Sequence, residues 1–281
     1  MKVIIIGAGR VGSSLGYLFK KAGLEIVGVC NQHLKSSQKV VELIGTGQPL
    51  NRDDLKKMLK KTDLVLITTP DDQIKKMAEF VLTCEFKRPI YMLHTSGLQE
   101  STILNEQHES GVYVFSMHPL QAIPDFNTGI KLLPRSVFTI EGCSQGEIFA
   151  QKLAEKLNLT YYSIDKKHKP LYHAAAVIAS NYLVTLIEAS YHLLKEAKMY
   201  NSDIQAALLN LVRGTLQNLE NKPPREALTG PIARGDLATI QSHLEVLKKE
   251  APANLQLYKV MGEYTARLAG QKDMFARIFN Q

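Results

Sequence analysis

Cysteine is scarce in this chain, with Cys30, Cys84 and Cys143 the three present in 281 residues. They are far apart, odd in number and without metal-ligand spacing. That argues against a disulfide framework and against zinc, so no bound metal is expected. Uninterrupted apolar runs are also short. None reaches the roughly 18 residues of a membrane-spanning helix, and no membrane partner is expected. The stretch Val3 to Ile6 is too brief for a signal peptide and leads straight into a glycine loop, so a cytoplasmic protein is the expectation. No stretch interleaves aromatic with basic side chains in the way a nucleic-acid surface does, and nucleic acid is not an expected partner.

What is present is ordinary globular composition, 45% hydrophobic and 22% charged, with a formal net charge of +7 and a pI near 9.1. A basic balance suits an anionic ligand. The lysine pairs Lys56-Lys57, Lys60-Lys61 and Lys75-Lys76 sit beside apolar residues at helical spacing and read as solvated helix faces. At roughly 100–200 residues per domain, the length predicts two domains.

The first half alternates strand and helix. Strands are expected at Val3 to Ile6, Glu25 to Cys30, Asp63 to Thr69, Pro89 to Thr95, Val112 to Met117 and Ser136 to Ile140. Amphipathic helices are expected between several of them, as at Ser13 to Ala22, Asp53 to Lys61 and Gln73 to Leu82. That alternation predicts an α/β Rossmann domain with a mainly parallel sheet over residues 1–165. From Lys166 onward no strand pattern remains. Helices are expected from Pro170 to about Ala197, at Asp203 to Leu219, at Asp236 to Lys249 and at Asn254 to Ala269, giving an all-α C-terminal domain over residues 166–281 for substrate binding and dimerisation.

Gly7-Ala8-Gly9-Arg10-Val11-Gly12 is a G-x-G-x-x-G loop between a buried strand and a helix, the context in which this motif binds a dinucleotide. The first glycine permits the turn, the second lets a pyrophosphate approach the backbone, and the third lets helix and strand pack closely. The end of the second strand bears on which dinucleotide. An NAD site usually places an acid there, bonded to the ribose 2′-hydroxyl. Here the stretch reads Asn31-Gln32-His33-Leu34-Lys35-Ser36-Ser37. With no acid to repel a 2′-phosphate, with Asn31, Lys35, Ser36 and Ser37 able to donate to one, and with Arg10 able to lean over the same ribose, NADP is expected in preference to NAD.

In open parallel sheets, ligands bind beyond the carboxyl ends of the strands. Three such ends carry unusual residues: Thr69-Pro70-Asp71-Asp72, His94-Thr95-Ser96-Gly97 and Ser116-Met117-His118-Pro119. Thr69 and Pro70 are expected to border the cofactor and Ser96 and His118 to face the cleft, whereas Asp71 and Asp72 read as caps of the following helix. Lys169, His173 and Ser180 recur at intervals that align them on one helix face, with small alanines between. They are expected to form the far wall, with Asn181 close by. Leu228 to Asp236 is a glycine–proline turn in which Thr229 and Arg234 suit an anion; it reads equally well as a helix-capping turn.

These motifs, with Tyr172-His173-Ala174-Ala175-Ala176 and Leu228-Thr229-Gly230-Pro231-Ile232-Ala233-Arg234-Gly235-Asp236, resemble a bacterial family of Rossmann-like proteins whose helical domain is named DUF2520. The family lies among the 6-phosphogluconate dehydrogenase-like proteins, with ketopantoate reductase, β-hydroxyacid dehydrogenases, pyrroline-5-carboxylate reductase and prephenate dehydrogenase. The resemblance implies an NADP-dependent oxidoreductase, often a homodimer through the helical domain. Lys169 is similar to the catalytic lysine of ketopantoate reductase and the β-hydroxyacid dehydrogenases, although His173 stands where those enzymes carry asparagine.

The expected function is hydride transfer to or from a small carbonyl, imine or hydroxy acid, acting on a small anionic substrate; the alternative is a non-catalytic NADP-binding redox sensor or regulatory protein. Lys169 is the expected proton donor, His118 its rival, His173 an orienting group and Ser96 a further catalytic candidate. Ser180, Asn181, Thr229 and Arg234 are the expected substrate contacts. The apolar wheel of the helix from Tyr172 to Leu194 adds to the expectation of a homodimer, because a helix apolar all round needs partners all round.

Overall fold

The computed structural model describes residues 1–106, 109–199 and 203–279. The chain divides into two compact units, Met1–Ser180 and Asn181–Gln281. The first holds β1 (Lys2–Ile6), α1 (Arg10–Lys21), β2 (Glu25–Cys30), α2 (Leu34–Ile44), β3 (Gln48–Pro49), α3 (Arg52–Leu59), β4 (Leu64–Ile67), α4 (Asp71–Leu82), β5 (Ile90–His94), β6 (Val112–Pro119), α5 (Phe126–Leu132), β7 (Val137–Gly142), α6 (Ser144–Lys156), β8 (Thr160–Ser163) and α7 (Lys169–Ala179).

The strands form one sheet in the order β3-β2-β1-β4-β5-β6-β7-β8. From Val3 to Ile6, β1 is apolar without interruption because both of its faces are covered. Val3 and Ile5 enter one core with Phe19, Phe115 and Phe138, while Ile4 and Ile6 enter the other with Val65, Ile67 and Ile74. Sequence order departs in opposite directions from β1, toward β2 and β3 on one side and toward β4 on the other. Such a switch point opens a crevice at the strand ends.

All neighbouring pairs are parallel except β6 with β7. A single register row crosses the sheet through Cys30, Ile6, Ile67, His94, Ser116 and Glu141. β1, β2, β4 and β5 end on this row. β6 continues past it, because the antiparallel β7 supplies hydrogen-bonding partners as far as Pro119, opposite Phe138. His118 therefore stands beyond the edge of the parallel sheet, opposite Thr139.

The first unit runs past the expected boundary at Asp165 and keeps α7. The reason lies in one side chain: Lys169 is the one buried residue of α7. The helical run Lys166–Glu196 is, by length and composition, long and apolar enough to cross a membrane.

The second unit is all-helical among the described residues: α8 (Asn181–Glu196), α9 (Asp203–Asn221), α10 (Pro224–Ala227), α11 (Pro231–Arg234), α12 (Leu237–Glu250), α13 (Pro252–Ala269) and α14 (Lys272–Phe279). Its core gathers Ile232, Ile240, Ala266, Phe275 and Phe279. None of this core comes from α8 or α9, neither of which has a buried residue.

Candidate dinucleotide and proton-transfer site

The glycine loop lies where β1 turns into α1. Gly7 has φ +74°, and a Cβ on Gly12 would overlap the Thr68 side chain, so both positions require glycine. Gly9 caps α1 with open space where a Cβ would stand. The first-turn N–H groups of a helix lack intrahelical partners and carry partial positive charge, which favours an anion at this point.

A cavity of about 850 Å³ leads from this loop along the strand ends. Its wall includes Gly7, Ala8, Gly9, Asn31, Ser36, Thr69 and Pro70, all expected from the sequence, and continues to Asn51, Arg52, Met77 and Phe80. Arg10, Val11 and Lys35 are not part of it; Arg10 and Lys35 are exposed and Val11 packs against the core. Ser37 is buried and accepts a hydrogen bond from Asn31 N (2.9 Å), which fixes the turn after β2. Asn31 Nδ2 donates to Ala8 O (3.3 Å), tying that turn to the glycine loop. Asn31 Oδ1 and Thr69 Oγ1 are buried without a hydrogen-bond partner among the described residues. A buried polar atom left unpaired costs about 1–3 kcal/mol, so two on one cavity wall fit a polar ligand that would satisfy them.

Farther along the strand ends the expected catalytic residues separate into two groups. Ser96 is buried, and its hydroxyl is fully engaged. It donates to Asp71 Oδ2 (2.7 Å) and accepts from Leu98 N (3.1 Å) and Gln99 N (2.9 Å). Asp71 thus serves the next strand end and does not cap α4, whose cap residue is Pro70. His94 accepts from Ser96 N at Nδ1 (3.1 Å), so Nε2 carries the proton toward Glu100 O (3.2 Å). Burial, with the Lys169 charge adding to it, pushes the His94 pKa down to about 3.

Lys169 is 2% exposed. Its Nζ donates to Ser116 Oγ (2.5 Å) and to Ser96 O (3.3 Å) and lies 3.5 Å from Glu141 Oε2. An ammonium has three donors, and here each has a protein partner. Glu141 is likewise enclosed, accepting from Ser101 N (2.9 Å), Ser101 Oγ (2.6 Å) and Ser116 Oγ (3.2 Å). Burial lowers the Lys169 pKa, and the Glu141 carboxylate opposes that shift. The side chain, however, fastens α7 to β6 and β7 and offers no free N–H to a substrate. Lys166 and Lys167 pair with Glu100 (3.7 Å) and Asp165 (3.1 Å).

The accessible chemistry gathers around His118. It is half-buried, with Nδ1 2.8 Å from the Tyr172 hydroxyl, and its ring meets those of Tyr172 (5.6 Å) and His173 (6.1 Å) edge-on. A Cβ on Gly97 would stand 2.8 Å from His173 Cδ2 and 3.0 Å from His118 Nε2, so glycine is what admits both rings to this strand end. Burial first, then the neighbouring His173 and Lys169, lowers the His118 pKa to about 4. Tyr172, whose pKa is raised by burial, escaped the sequence reading although it adjoins His173. Glu141 escaped as well, although an acid within the apolar run Val137-Phe138-Thr139-Ile140 is a legible signal.

Ser180 is exposed at the end of α7. Asn181, Thr229 and Arg234 belong to the second unit and are exposed there. Asp236 caps α12, accepting from Thr239 N (3.1 Å) and Thr239 Oγ1 (2.7 Å), as the capping alternative for that turn requires.

A glycine loop at the N-terminus of α1, a switch-point crevice and a doubly covered sheet define a Rossmann-like fold. Two family models match the chain, the Rossmann-like domain over residues 1–119 and DUF2520, a domain of unknown function, over residues 136–265. No curated protein matches by sequence. Among solved structures, a Bacteroides fragilis protein described as an NADP oxidoreductase is 21% identical with TM-score 0.74, covering 95% of this chain and 98% of its own. A Thermotoga maritima protein is 22% identical with TM-score 0.74, the coverage being 96% and 99%. The 1-pyrroline-5-carboxylate reductase of Streptococcus pyogenes is 18% identical with TM-score 0.59, covering 97% and 98%. The chain shares the fold of these three proteins.

Lys169→Met leaves the Glu141 carboxylate buried without a cation. It is expected to cost about 3–5 kcal/mol in urea unfolding, and Lys169→Met with Glu141→Gln to recover most of that loss. An unchanged midpoint for the single variant would contradict the buried ion pair. His94 and His118 are both held neutral by burial, with pKa values of about 3 and about 4. Between those values and the ordinary 6.5, the unfolded chain binds more protons than the folded one. Their contribution to stability is full above pH 6.5 and is lost as pH falls through the folded values. Thermal melts from pH 7 to pH 4 should show falling stability, and ring-proton NMR should place the His118 midpoint well below 6.5. A midpoint at 6.5 or above would contradict the enclosed geometry.

Proposed function

We propose that the chain is an NADP-dependent oxidoreductase that moves a hydride to or from a small carbonyl, imine or hydroxy acid. The observation that carries this reading is the pair of unpartnered buried atoms, Asn31 Oδ1 and Thr69 Oγ1, on the wall of the cavity that starts at the glycine loop. The similarity in fold to proteins described as an NADP oxidoreductase and a pyrroline-5-carboxylate reductase supports it.

In this reading the Gly7–Gly12 loop and the first turn of α1 hold the pyrophosphate. Asn31 and Ser36 hold the adenosine ribose, and Thr69 and Pro70 border the nicotinamide half. Bound there, the nicotinamide supplies or takes up the hydride. His118 is the group that exchanges a proton with substrate. Neutral above about pH 4, it accepts a proton from a hydroxyl or amine, or holds a carbonyl or imine by its own N–H. Tyr172 fixes the ring at Nδ1, and His173 flanks it as a substrate-orienting group. Lys169 is a positioning residue, since it anchors Ser116 two residues before His118. The basic balance of the chain suits a small anionic substrate. The unburied α8 and α9, with Tyr182, Val184 and Leu211 more than half exposed, support a homodimer through the second unit.

The test is NADPH binding by calorimetry, followed by NADPH oxidation across small keto acids and cyclic imines, with light scattering on the same sample. Binding, turnover that His118→Ala reduces by about 10²-fold or more, and a dimer mass are expected. Tight binding without turnover on any of them would overturn the catalytic part in favour of a redox sensor. Absence of binding would overturn the whole reading.

A further inference from the structure

The cavity wall beyond the ribose carries a cation that the sequence did not reveal. β2 ends without an acid, and Lys35 and Arg10, the two cations expected beside the ribose, do not line the cavity. Arg52 does, from the first residue of α3. Its backbone is fixed on both sides. Asn51 Oδ1 accepts from Asp53 N and Asp54 N at 2.9 Å each, and Leu55 and Leu59, three and seven residues on from Arg52 and so on the same helix face, are buried. Its guanidinium lies 5.5 Å from the centre of the Phe80 ring, which lines the same cavity.

No ion pair to Arg52 occurs among the described residues. The neighbouring Asp53 and Asp54 face Lys56 (3.8 Å) and Lys57 (3.6 Å). The guanidinium is close enough to the end of β2 to act electrostatically on the Cys30 thiol, whose pKa burial raises and Arg52 lowers. Cys30 directly precedes Asn31, which bears one of the two orphaned oxygens. The cavity's other lining groups that bear charge are Asp72, hydrogen-bonded by Gln73 Nε2 (3.0 Å), Lys76 and, when protonated, His33.

We infer that Arg52 reads the 2′-phosphate of NADP, so that discrimination against NAD is exercised from α3 and not by Lys35 after β2. The inference rests on the nicotinamide-cofactor reading above. A phosphomonoester carries up to two charges and matches the fork of a guanidinium in two parallel hydrogen bonds. The pyrophosphate is provided for elsewhere, at the glycine loop. A free arginine on the adenosine side therefore adds affinity for the one group that distinguishes NADP from NAD.

The experiment is calorimetric titration of the wild type, Arg52→Ala, Arg52→Lys and Lys35→Ala with NADP and with NAD, each variant first checked by its thermal melt. Wild type should bind NADP more tightly. Arg52→Ala should weaken NADP roughly ten- to a hundredfold, in line with the loss of a charged hydrogen-bonding partner, and leave NAD nearly unchanged. Arg52→Lys should fall between, and Lys35→Ala should match wild type. Equal loss for both dinucleotides, no loss for either, or a selective loss in Lys35→Ala would overturn the inference while the cofactor reading stands. A wild type that binds neither dinucleotide would overturn both.

Discussion

A lysine buried among three strands holds the functional end of the α/β unit together. Lys169 opens α7, and its ammonium closes on Ser116, on the Ser96 carbonyl and on Glu141. Removing two charges from water is expensive, and the cost is offset by a partner for each ammonium proton and by three further hydrogen bonds to the carboxylate. The geometry follows from this enclosure. The helix that carries Tyr172 and His173 must start where Lys169 can reach Glu141. That start brings Tyr172 to His118 and His173 to Gly97.

The antiparallel β7 is the second constraint. It extends β6 past the register row on which the parallel strands end and raises His118 above that row. The same pairing sets Glu141 directly opposite Ser116, so the strand that exposes the histidine also supplies the carboxylate that buries the lysine. The dinucleotide half of the site needs neither feature. It depends on β1, the glycine loop and the turn after β2, in which Ser37 and Ala8 fix Asn31.

Much of the first unit was legible because its signals are local. Uninterrupted β-branched runs between amphipathic helices can only be strands covered on both faces, and a glycine loop between strand and helix has one common use. The short β3 and the edge strand β8, Thr160-Tyr161-Tyr162-Ser163, were missed because neither has the alternation or apolar run that marks a strand. The reversed direction of β7 left no trace, since apolar strands read alike either way. The spacing of Lys169 and His173 put both on one helix face. It could not show that one turns inward to a carboxylate on a distant strand while the other stays beside His118. Arg52 carried no signal at all. Its place on the cavity wall depends on where the sheet's outer strands bring α3, which is a property of topology.

The central claim is that the cavity from the glycine loop to Arg52 is a dinucleotide site whose orphaned oxygens await that ligand. A crystal structure of the protein grown with NADPH tests it most directly. The account predicts the pyrophosphate against the first-turn N–H groups of α1, with Asn31 Oδ1 and Thr69 Oγ1 each gaining a hydrogen bond from the ligand or from a water it orders. A dinucleotide bound away from the glycine loop, or one that leaves both oxygens unpartnered, would contradict it.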